Sequence, residues 1–223
     1  MVKKRTTKAT DGQAGKRRFR PLAFVFRWLW RGALAAVALL LLAVGFYAAI
    51  DPPTTPYILS EGRRLDGVAR VWVDMEDIAP DMARSAVAAE DANFCLHGGF
   101  DMAAIRAALE AGGSRGASTI SQQVVKNVYL WQGRSWPRKA LEAVMTPLVE
   151  ALWSKRRILE VYLNVAEFDE GVFGVEAAAQ RYFGVSAARL SADQAARLAV
   201  VLPNPKARDA ANPSATLRRT SLE

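Results

Sequence analysis

The sequence predicts a mostly helical, all-α protein carrying one N-terminal transmembrane helix. Three observations lead there. After residue 80, apolar side chains recur at three- and four-residue intervals in one segment after another. Strand-like alternation is confined to a weak run at residues 69–73, ARVWV. Residues 32–50, GALAAVALLLLAVGFYAAI, contain no charge. At 223 residues there is room for one globular domain plus an appendage.

The uncharged run comes first in the chain. Nineteen residues at about 1.5 Å each cover roughly 28 Å, close to the thickness of a bilayer's hydrocarbon core. Residues 22–30 extend it upstream with only Arg27 interrupting. The run is longer than the apolar part of a cleaved signal, so an uncleaved anchor over residues 22–50 is expected. Ten Lys and Arg stand in residues 1–31 against Asp11, a net +9. The whole chain carries +8, so residues 32–223 sum to −1. The basic character therefore belongs to the N-terminal tail, which speaks against a nucleic-acid-binding body. The positive-inside rule leaves that tail (1–21) in the cytoplasm and everything after Asp51 outside. Residues 51–60, opening DPPTTPY, read as a short stiff connector.

The soluble part follows. Pro80 suits a first helical turn, and PDMARSAVAAED reads as a helix with Met82, Ala86 and Val87 inward, ending near Asn93 and Phe94. Gly98-Gly99 forces a loop. Asp101 caps a helix over 102–111, stopped by Gly112-Gly113. Ser118 caps the next one, in which Ser118, Gln122 and Lys126 form a polar stripe and Ile120, Val124 and Val128 an apolar one. Pro137 opens a helix expected to bury Leu141, Val144, Leu148 and Leu152, with Pro147 kinking it. Further helices are expected over 154–164, 174–183 and 191–202. Pro203-Asn204-Pro205 closes the packed region, placing the domain at 61–205 and a tail at 206–223.

Some of these residues have chemistry to offer. Glu90 follows AVAA, so its carboxylate emerges from an apolar patch that would raise its pKa and make it a base; it reads equally as a solvated helix end. Lys126, Arg134, Arg138 and Lys139, with Ser118, Gln122 and Gln123 beside them, suit a diphosphate or form an ordinary charged face. His97 is the only histidine and lacks partners for a metal site. Cys95, the only cysteine, excludes an internal disulfide and reads as a small buried side chain. Phe168, Phe173, Tyr182 and Phe183 read as core.

Five blocks then carry a resemblance. EDANFCLHGGFD from Glu90, GASTISQQVVKN from Gly116, RKALE from Arg138, KRRILEVYLNVAEFDEGVFGVEAAAQRYFG from Lys155 and LAVVLPNP from Leu198 resemble, in order, the peptidoglycan glycosyltransferases of glycosyltransferase family 51. They cover most of residues 80–205. No Ser-x-x-Lys or Lys-Thr-Gly occurs, so the likeness is to the monofunctional, membrane-anchored transglycosylases.

That resemblance implies a lysozyme-like, two-lobed helical domain with one lobe resting in the membrane. It implies polymerisation of lipid II into β-1,4-linked glycan strands, with inversion and release of undecaprenyl diphosphate. Glu90 falls on the family's base and Glu142 on its second carboxylate. Lys126 and Arg134 match its principal diphosphate ligands, and Ser118, Gln122, Gln123, Arg138 and Lys139 line the same cleft. Asp91, Phe94, His97 and Asp101 take structural places near the site. No cofactor is required; a divalent cation (Mg or Mn) bridging Glu142 and the diphosphate is left open. The expected partners are lipid II, the growing strand, the cytoplasmic (inner) membrane and cell-wall or division proteins, and not nucleic acid. Asp169 stands where the family often has glycine, and a left-handed turn is expected to persist there.

Overall fold

A computed structural model describes residues 21–112, 116, 118–133 and 135–211. Arg134 therefore lies outside the described residues. The chain divides into two compact units, Met1–Leu40 and Leu41–Glu223. Nine α-helices and three short strands lie among the described residues, so the protein is mostly helical. Helix α1, Pro21–Tyr47, begins in the first unit. Phe24–Tyr47, with mean hydropathy 2.0, is long and apolar enough to cross a membrane. It stops before residue 50, because Pro52 and Pro53 ahead have no N–H to continue the ladder.

In the second unit the end of α1 is clamped. Trp153 donates its indole N–H to the Val44 carbonyl at 2.8 Å, and Arg157 reaches the carbonyls of Tyr47 and Ile50 and the carboxylate of Asp51. Arg70 holds the carbonyls of Pro52 and Pro53. Thr55 caps α2, Pro56–Arg64, its hydroxyl accepting from the Ile58 N–H with Pro56 in the first turn. Most of residues 51–60 is thus tied to the domain.

Helices α3 (Pro80–Glu90), α4 (Met102–Glu110), α5 (Ile120–Tyr129), α6 (Trp136–Leu152), α7 (Lys155–Val165), α8 (Val175–Phe183) and α9 (Ala192–Ala199) follow. Helix α5 is the central one, packed against α2, α6 and α7. Ile120, Val124 and Val128 are buried there, as their spacing predicts. Met82 and Ala86 are fully buried on α3, while Val87 is half-buried. Strand β1 (Ala69–Arg70) pairs parallel with β3 (Val172–Phe173), which pairs antiparallel with β2 (Glu167–Asp169) across a bulge. Gly171, at φ +73°, takes the left-handed position of that hairpin, so Asp169 remains in the strand and the expectation of a left-handed aspartate is corrected. Phe168 and Phe173 are fully buried, whereas Tyr182 and Phe183 are only half-buried.

Three further readings are corrected. On α6 the buried residues are Arg138, Glu142, Met145, Thr146 and Val149; Leu141, Val144 and Leu152 are 43%, 65% and 50% exposed. Apolar periodicity finds a helix's greasy face but does not say whether protein or lipid covers it. Here the inward face carries the charged pair instead. The helix runs through Pro147 without a break. Cys95 is exposed rather than buried, because the loop after α3 turns it away from Phe94, which fills the core at 1% exposure. The chain beyond Lys206 also packs: Ala210 is fully buried, Arg197 donates to its carbonyl, and Arg208 donates to the carbonyl of Val200.

Candidate active site

Helices α3, α5 and α6 bring Glu90, Ser118, Gln122, Gln123, Lys126, Arg138, Lys139 and Glu142 to the walls of one cleft of about 670 Å³. Tyr57, Tyr162 and Glu167 line it too. Helix α5 starts with a capping box. The Thr119 hydroxyl accepts from the Gln122 N–H, and the Gln122 side chain accepts from the Thr119 N–H. The cap is therefore Thr119 and not Ser118, and Thr-x-x-Gln was the signal that marked it. Gln122 faces two ways: its Oε1 closes the cap and its Nε2 donates to Glu142 Oε1 at 3.3 Å.

Glu90 ends α3. Gln123 donates to its Oε2 at 2.6 Å, while Oε1 is buried with no hydrogen-bond partner among the described residues. Burial pushes the Glu90 carboxyl above the usual range, against the opposing pull of Gln123, Lys126 and Arg208. Lys126 is also largely desolvated, and burial lowers its ammonium; Glu142 opposes that shift and Arg138 adds to it. A buried carboxylate with a free oxygen and a buried ammonium thus share one cleft.

Glu142, 2% exposed, organises the cationic wall. Arg138 donates to its Oε2 at 2.8 Å, and Lys139 donates to Oε1 and, at 3.2 Å, to Ser118. Both Glu142 oxygens are therefore occupied by cationic donors. No group of three or more His, Cys, Asp or Glu able to hold a metal occurs among the described residues. This donor set does not fit a divalent cation, and no step is routed through one.

The loop behind Glu90 is fixed by Asp91. Its Oδ2 accepts from the Ile120 N–H at 3.0 Å, and its Oδ1 lies 2.8 Å from His97 Nε2. The Gly99 N–H donates to His97 Nδ1, so the ring proton sits on Nε2 and points at Asp91. Asp91 thereby joins the end of α3 to the start of α5. Asp101 caps α4, accepting from the N–H groups of Ala103 and Ala104 and from Asn93, and these bonds hold its carboxyl below the ordinary range. Asp91 and Asp101 line a neighbouring cavity of about 460 Å³ that also reaches Glu90.

Gly99 sits where these pieces meet. Its φ is +100°, a Cβ would fall 2.7 Å from Thr146 Cγ2, and its carbonyl accepts from the Thr119 hydroxyl at 2.7 Å. Gly99→Ala combines backbone strain with a clash and is expected to cost about 1–3 kcal/mol. Thermal unfolding of the two proteins measures it; equal melting temperatures would show that the position needs no glycine.

Comparison with known proteins adds the family. Residues 59–222 match the family described as Transglycosylase. The chain is similar to proteins named biosynthetic peptidoglycan transglycosylase from several bacteria. It is 61% identical over 193 residues to that of Jannaschia sp. (strain CCS1), covering 86% of this chain and 81% of the relative. It is 47% identical over 207 residues to that of Xanthomonas oryzae pv. oryzae, covering 88% and 84%. It is 51% identical over 191 residues to that of Caulobacter vibrioides, covering 80% and 82%. With a family matched over well more than half the chain and relatives this alike along most of their length, the chain belongs to the transglycosylases, as a monofunctional peptidoglycan transglycosylase of cell-wall synthesis.

Proposed function

We propose that this transglycosylase polymerises lipid II into β-1,4-linked glycan with inversion, releasing undecaprenyl diphosphate. The observation that carries the reading is the pairing, in one cleft, of a desolvated carboxylate holding a free oxygen with a buried cationic wall. Glu90 Oε1 takes the proton of the acceptor sugar's 4-hydroxyl. The alkoxide oxygen forms a bond to the anomeric carbon of the growing chain, and the bond from that carbon to the diphosphate oxygen breaks on the opposite face. The diphosphate leaves with the electron pair, its charge balanced by Lys126, Arg138 and Lys139. Arg134 joins them as a diphosphate ligand on the strength of its match to the family pattern. Ser118, Gln122 and Gln123 donate or orient. Glu142 holds the cations in register before the substrate arrives.

The setting follows from the chain. Residues 22–50 anchor the protein in the cytoplasmic membrane with the basic tail inside. The domain, residues 61–205 with the packed segment up to 211, works on the outer side. The apolar outer face of α6 rests against lipid, which accounts for Leu141, Val144 and Leu152 being uncovered by protein.

A glycan hydrolase is the rival a single glutamate invites, but cutting a glycosidic bond needs a general acid and no cationic wall. The products separate the two. The protein in detergent, given lipid II, is expected to yield long glycan and to leave purified sacculi uncut. Shortened sacculi without polymer would overturn the reading.

A further inference from the structure

The cleft has a second end that the chemistry above does not use. Tyr57, on the first turn of α2, donates its hydroxyl to Glu167 Oε2 on β2, and the Gly171 N–H donates to Glu167 Oε1 at 3.1 Å. Lys206, from the segment after α9, stands 2.8 Å from Glu61 and 3.6 Å from Glu167. The Tyr57 ring meets Phe173 edge-on, with centroids 5.3 Å apart. These groups form a separate electrostatic neighbourhood. The charges acting on Tyr57 are Glu167, Glu61 and Arg64, whereas those acting on Lys126 are Glu142, Arg138, Glu90 and Lys139. Tyr57 and Glu167 nevertheless line the same cleft as Lys126 and Glu90. Tyr57 also precedes the matched segment 59–222.

We propose that Tyr57 and Glu167 form a neutral-sugar subsite that holds a pyranose ring of the growing glycan. The inference rests on the donor reading above. If the donor's diphosphate lies on the cationic wall and its anomeric carbon beside Glu90, the rest of the donor chain continues past Glu90 along the cleft. The wall it meets there has an aromatic ring for the apolar face of a sugar and a carboxylate for its hydroxyls. A carboxylate has about four acceptor positions, and Glu167 spends one on Tyr57 and one on Gly171, which leaves room for substrate hydroxyls. Its orientation is set by Tyr57 and by Lys206, so it is held before the sugar arrives. The absence of a phosphate-binding cation from this neighbourhood suits an uncharged ring. Helix α2, just after the membrane connector, thereby contributes a specificity-determining residue to the cleft.

The test is direct binding by the full-length protein in detergent. One probe is a β-1,4-linked GlcNAc–MurNAc tetrasaccharide bearing neither lipid nor diphosphate; the other is undecaprenyl diphosphate. Glu167→Gln and Tyr57→Ala are each expected to weaken the tetrasaccharide about tenfold, as for the loss of one hydrogen bond to a charged acceptor, and to leave undecaprenyl diphosphate unchanged. Lys126→Ala is expected to do the reverse. In polymerisation, the two cleft-end variants raise KM for the elongated donor more than they lower kcat. Unchanged tetrasaccharide affinity, no binding to the unmodified protein, or equal loss of both probes would overturn the subsite; the last outcome would make the pair a structural staple between α2 and the hairpin. Tyr57→Phe, which keeps the ring, supplies the measurement if Glu167→Gln fails to fold. Neither binding arm needs turnover, so an active Glu90→Gln enzyme would sink the base while leaving this result standing.

Discussion

Glu90→Gln is expected to lower polymerisation of lipid II by at least about a hundredfold while lipid II binding persists, since a positioned general base contributes roughly that much or more. The amide keeps the shape and can still pair with Gln123, but it cannot take the acceptor's proton. Unchanged turnover would remove Glu90 as base. The pH profile provides a second readout. Burial holds the Glu90 carboxyl above the usual range, and the reaction needs its ionised form. In the unmodified protein kcat/KM is therefore expected to fall toward acid with a midpoint above the ordinary carboxylate value, and Glu90→Gln should lack that limb. Stability moves the other way. A folded-state value raised above the unfolded one favours the folded protein below the unfolded value, and that contribution is lost as pH rises through the folded value. Gln does not titrate, so the variant is expected to melt no lower than the unmodified protein at neutral pH. Lost turnover with retained melting temperature would separate chemistry from folding.

Glu142→Ala is expected to damage the fold and the site together. Removing one partner of a buried ion pair leaves the other charge unpaired, at a cost of about 3–5 kcal/mol. Arg138, whose side chain is 11% exposed, loses its carboxylate; Lys139, at 42%, is screened by solvent and adds little. For a domain of this size the melting temperature should fall by roughly 6–20 °C. Gln122 also loses the acceptor of its Nε2, which loosens the capped start of α5. Added inorganic pyrophosphate is expected to raise the variant's melting temperature, because Lys126, Arg138 and Lys139 then lack a counterion. Indifference to pyrophosphate would count against a diphosphate site on this wall.

Much of the site was readable before any fold was known, and the reason is local. Gln122, Gln123 and Lys126 lie within two turns of α5, and Arg138, Lys139 and Glu142 within two turns of α6, so helical periodicity alone groups each set on one element. Asp101 as a cap is equally local, since its bonds reach two and three residues ahead. The Glu90–Gln123 and Gln122–Glu142 contacts join residues 33 and 20 positions apart on different helices, and no pattern within one helix requires them. The same limit hid Tyr57 and Glu167, which meet across 110 positions.

The amino-acid order by itself determined the apolar helix, the helical character of the body and the stripes that face inward on α5, because these depend on spacing along one element. Only the tertiary structure decided which face of α6 is inside. Its apolar residues satisfy the periodicity of a core face as well as that of a lipid-facing one, and the choice turns on Arg138 and Glu142. Those two charges must be buried together opposite α5, where Gln122 and Lys126 complete the wall, and that leaves Leu141, Val144 and Leu152 on the outside.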